Sequence, residues 1–161
     1  MPVPETKSFL ARVVERLSTW AQFGRPPDVP FDHAVAALLI HAASRHGPAS
    51  PARRTRITAL LRDYLGRDEA AVAPLVQEAR REDDRAVDLH HFARVVNRAL
   101  PQEGRLAVLD MAAQVAFAEH ADAEEEGFLR LLGGLLGISD HDRGIVQHRA
   151  RTARLSSTST S

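Results

Sequence analysis

Apolar residues recur every three to four positions along almost the whole chain, and no stretch alternates apolar with polar residues as a half-buried strand would. The pattern predicts an all-α fold, a compact bundle of seven to eight helices without a sheet. A first helix is expected from about Ser8 to Phe23, with Phe9, Val13, Val14, Leu17 and Trp20 on one side, ended by the Pro-rich segment 24–30. A second is expected over Asp32–Arg45. A third opens where Ser50 can cap and Pro51 takes the first helical position, and it closes at Gly66. Asp68 is a plausible cap for a fourth, although Pro74 falls inside it and calls for a late start or a kink. The mixed-sign run Arg80–Arg85 reads as a solvated helix end, and Asp88 caps a fifth helix that Pro101 closes. Further helices are expected over Gln102–Glu119, over Asp122–Leu136 with Gly137 as the stop, and from a Ser139/Asp142 capping box onward.

These elements divide the chain into an N-terminal helix over 1–23, a linker over 24–30, a helical domain over 31–153, and a polar, small-residue tail over 154–161 that reads as disordered. Two segments inside the domain look alike. Ala36–Leu65 and Asp110–Leu136 each read as an alanine-rich helix, a tight polar turn, and a second helix that runs into leucines and then glycine. The likeness implies a duplicated helix hairpin, packed face to face.

Composition changes this picture only by exclusion. A chain of 161 residues can bury ~70% of the surface its unfolded form exposes, enough for one core. It has no cysteine, so disulfides, thiolate zinc sites and cysteine nucleophiles drop out. A formal net charge of zero speaks against a dedicated nucleic-acid binder, and no apolar run approaches the ~18 residues of a membrane span. Without a secretory signal pattern at the start, the expectation is a cytoplasmic protein.

Candidate chemistry is sparse. No serine sits in a nucleophile elbow, and no glutamate has a histidine three residues later as a carboxylate-bridged metal bundle requires. The glycines near 133–137 lie in a helical context, unlike a phosphate-binding loop. His90 and His91 are adjacent and point apart, while His33, His41, His141 and His148 stand alone on helices, where a surface or hydrogen-bonded role is the ordinary one. Arg53, Arg54 and Arg56 form a basic cluster without interleaved aromatic residues and read as a solvated helix face. The densest segment is Glu119–Glu126, with five carboxylates and one imidazole in eight residues. Oxygen-rich turns suit hard cations, but acids also gather in a first helical turn simply to complement its dipole, and from the residues alone that reading carries more weight.

At the two hairpins the chain resembles the bacterial TerB-like, or tellurite resistance, proteins over Asp32–Arg151. The resemblance rests on Ala36–His41 with the turn at His46–Gly47, on Val87–Phe92 with Asn97–Arg98, on Glu103–Arg105, on Val115–Glu119, and on Leu135–Ser139. It implies an all-helical fold of two similar hairpins, each with an aspartate-glycine turn and a glutamate at the start of the next helix, which together form a cation site. In this chain His46 falls on the first aspartate position and Arg53 on the first glutamate position. In the second hairpin the positions fall on Glu119, with His120 for the glycine, and on Glu125.

Two carboxylates are thereby exchanged for basic side chains, and Arg53 could pair with Glu125 or Glu119 as a built-in substitute for the metal. The resemblance thus implies a non-enzymatic helical protein, a protein-interaction module of a bacterial stress response with a degenerate metal site. The alternative is a divalent-cation-binding or sensing protein using His46, Glu119, His120, Asp122 and Glu125. No cofactor beyond that cation is expected, nor nucleic acid; a protein partner or self-association is left open.

Overall fold

The computed structural model describes residues 29–83 and 89–158, so the expected N-terminal helix, most of the linker and the Asp88 cap lie outside the described residues. Seven helices and no strand are present among them: α1 Phe31–Ala43, α2 Pro51–Leu65, α3 Glu69–Asp83, α4 Leu89–Ala99, α5 Gln102–Ala116, α6 Ala123–Leu135 and α7 Asp140–Thr158. The protein is an all-α bundle, as the periodicity predicts.

α1 is the axis. Its sequence FDHAVAALLIHAA is apolar on nearly every side, and a helix of that kind has to be surrounded. Eleven of its thirteen residues are buried, enclosed by α2, α3, α4 and α5. α5 is the second central element, with Val108, Leu109, Ala112, Ala113, Val115 and Ala116 buried between α1, α6 and α7. Alanines on both helices let the two backbones come close. The pairs α1–α2 and α5–α6 are the two similar hairpins, and their first helices pack on each other.

The ends follow local chemistry. Ser50 Oγ accepts from the Arg53 amide at 3.2 Å with Pro51 beside it at the first helical position, and Gly66 closes α2 in the left-handed region at φ 64°. Asp68 Oδ1 accepts from the Ala71 amide at 2.9 Å and so starts α3, which then runs unbroken through Pro74 rather than beginning late. Gly137, at φ 68°, ends α6; the Ile138 amide bonds to Gly133 O and the Gly137 amide to Gly134 O, a Schellman arrangement only a residue at ease in that region completes.

Two boundaries differ from expectation. The helix expected to reach Glu119 stops at Ala116, because the Ala118 amide turns back to Val115 O and Phe117 is drawn fully into the core. The last helix does not give way to a tail at 154 but continues to Thr158. Its late polar residues bond back to the preceding turn of the same helix, Thr152 Oγ1 to His148 O and Ser156 Oγ to Thr152 O.

Candidate functional site

The two hairpins meet where the turn after α1 faces the turn after α5, and the residue at the meeting point is Arg53. Capped by Ser50, the first turn of α2 aims this side chain away from solvent, and only 5% of the residue is exposed. Nη1 donates to Ala43 O at 3.1 Å, Nη2 donates to Ala116 O at 3.0 Å and to Glu125 Oε1 at 3.2 Å, and Nε lies 3.7 Å from Glu119 Oε2. The basic cluster expected to form a solvated face is therefore split. Arg53 is interior, whereas Arg56 lies outside and donates to Gln114 Oε1.

Ala43 and Ala116 are the last residues of α1 and α5, equivalent positions in the two hairpins. The last carbonyls of a helix have no amide of their own helix to accept from, and they carry the negative end of its dipole. A guanidinium placed against both satisfies two orphan acceptors and sits where each dipole favours a cation. Glu125 is in the first turn of α6, where the dipole favours an anion, and its residue is fully buried. Each member of the pair thus occupies the helix end that suits its charge. One carboxylate oxygen, Glu125 Oε2, and Arg53 Nε are enclosed without a hydrogen-bond partner.

Around this centre the charges become progressively more exposed. His46 Nε2 stands 3.1 Å from Glu124 Oε2 and 3.6 Å from Glu125 Oε1, with the His46 side chain half exposed. Asp122 Oδ1 accepts from the Glu125 amide at 3.0 Å as the cap of α6. That bond holds its carboxyl below the usual aspartate range; desolvation opposes it, and the Glu124 amide and the nearby His46 and His120 add smaller effects in the same lowering direction. From α7, Arg151 pairs with Glu126 and stacks 5.3 Å over the Phe117 ring, and Arg154 donates to Glu119 O at 2.8 Å. Arg45, next to His46, lies 4.8 Å over Phe128.

Of the candidate ligands, Glu119 and Glu125 each face Arg53, and His46 faces Glu125, with no contact to Glu119 among the described residues. Asp122 is spent on capping and His120 faces solvent. The residues present do not fit a metal ion. A fixed positive group already stands between Glu119 and Glu125, and among the described residues no three histidine or carboxylate side chains gather as a ligand set. Sequence reasoning did not single out Glu124 as the partner of His46. It missed the carbonyls of Ala43 and Ala116 entirely, and no residue-type signal could have revealed them, since every residue has a carbonyl.

The fold and site define a class: an all-helical protein of two like hairpins joined through their turns by charge. The family model of the tellurite resistance protein TerB matches residues 32–148, and the chain belongs to that family. No curated protein and no solved structure matches it. No helix among the described residues is long and apolar enough to cross a membrane.

Proposed function

We propose that the chain is a non-enzymatic TerB-family protein that acts by binding another protein, in the cytoplasm of a bacterium under stress. One observation carries this reading. The most enclosed polar residues, Arg53 and Glu125, direct their contacts to two helix ends and to each other, so the densest polar site is a clamp. A guanidinium stays charged at any working pH and neither takes nor gives a proton, which makes it a poor reacting group and a durable tie. A frame fixed in this way presents its outer faces in one geometry, and preorganisation lowers the ordering cost of association.

The test is cross-linking in the host from photoreactive residues placed in turn at His120, Leu131 and Ile145, all exposed. The captured protein is then titrated against the purified chain. One discrete partner that binds the purified chain is the expected result. Absence of a discrete adduct at all three positions, or turnover of a small molecule by the purified chain, would overturn the proposal.

A further inference from the structure

Four oxygens surround the Arg53 guanidinium: Glu125 Oε1, Glu119 Oε2, and the carbonyls of Ala43 and Ala116, at 3.0–3.7 Å. Two carboxylates with main-chain carbonyls are the donor set that a hard cation prefers. Here the cation is covalently part of the chain. We propose that Arg53 is a tethered cation which keeps the hairpin junction closed without any exchangeable ion, and that its side chain is all that separates this junction from a divalent-cation site.

The charge count and the packing support this. Glu119 and Glu125 together bring two negative charges against the single positive charge of Arg53, with the His46 imidazole beside Glu124 and Glu125. Truncating Arg53 removes the positive charge, while the local bonds that start α2 and α6 remain available. Ala43 and Ala116 end α1 and α5, the Asp122 cap of α6 fixes the Glu125 backbone, and the Arg53 amide still donates to Ser50 Oγ at the start of α2. The vacated space is then lined by oxygen, carries a net negative charge, and lies at the C-terminal dipole ends of α1 and α5, all of which attract a cation. None of this depends on whether a protein partner binds.

The experiment compares the full chain, Arg53→Ala and the double variant Arg53→Ala with Glu125→Gln. Each is treated with chelator and melted with and without calcium, magnesium, manganese or zinc, with circular dichroism to report folding. The wild-type melting temperature is expected to ignore all four ions. Arg53→Ala is expected to gain about 5–10 °C with at least one ion at a hundred times its Kd, or, where it is unfolded without ions, to recover its helical signal on adding one. Glu125→Gln is expected to abolish that gain. A wild-type shift with any ion overturns the proposal, and so does an Arg53→Ala chain, folded or not, that is indifferent to all of them.

Discussion

Glu125→Leu is the most informative single perturbation of this molecule. It leaves the guanidinium of Arg53 buried with two carbonyls and with Glu119 at 3.7 Å, but without the carboxylate that balances its charge. Removing one member of a buried pair costs about 3–5 kcal/mol, against a total stability of roughly 5–15 kcal/mol for a domain. At ~2–4 °C per kcal/mol for a domain of this size, melting should fall by about 6–20 °C. Because both side chains are enclosed, raising the ionic strength should change this loss little. Arg53→Met combined with Glu125→Leu removes both charges and fills the space with apolar volume. The Ala43 and Ala116 carbonyls still lose their donors, so the double variant remains less stable than wild type, but by about 2–3 kcal/mol less than the two single losses added together. Urea melts of the four proteins give the cycle. A loss below ~1 kcal/mol in Glu125→Leu, or losses that simply add, would refute the reasoning that this pair clamps the hairpins.

Four further outcomes follow from other parts of the structure. Asp122 titrates below its usual value in the folded state, so its contribution is present above the unfolded value of about 3.8 and is lost as pH falls through the lower folded value. Asp122→Asn should therefore flatten the fall of melting temperature with pH on the acid side of 4, and an unchanged slope would contradict the capping role. Tyr64 is the sole tyrosine, and burial pushes its hydroxyl up to about 12. Its stabilising effect is complete below pH 10 and lost as pH rises through 12, so tyrosinate absorbance of the folded protein should appear near 12, and a midpoint near 10 would show the ring to be solvated. Gly137→Ala forces a side chain into the left-handed region at φ 68° and 3.1 Å from Arg105 Nη1, and should cost about 1–2 kcal/mol in urea melts. Gly134→Ala, whose added carbon meets nothing within 4 Å, should stabilise by about 0.5–1 kcal/mol.

Most of the described helices could be read from the chain because their punctuation is local. Ser50–Pro51, Gly66, Asp68, Pro101 and Gly137 act through backbone geometry within a turn of themselves, and they mark starts and stops whatever the rest of the protein does. Departures arise where tertiary packing decides: α5 ends at Ala116 because Phe117 is claimed by the core. The site shows the same division. The exchange of acids for His46 and Arg53 was visible as residue types at matched positions. A pairing of Arg53 with Glu125 or Glu119 was legible with it, but the depth of the burial was not, since it depends on two main-chain carbonyls, that of Ala43 just before α2 and that of Ala116, 63 residues on.

The clamp also constrains how the chain can acquire its structure during synthesis. Arg53 lies 63 residues before Ala116 and 72 before Glu125. When the ribosome has released only the first hairpin, the guanidinium has Ala43 O to bond but no counter-charge, and burying it then is unfavourable. α1, apolar on nearly every side, must likewise wait for α4 and α5 before it is covered. The junction therefore closes only once α5 and α6 have been made, and until then the first hairpin carries an apolar α1 and a guanidinium without its counter-charge.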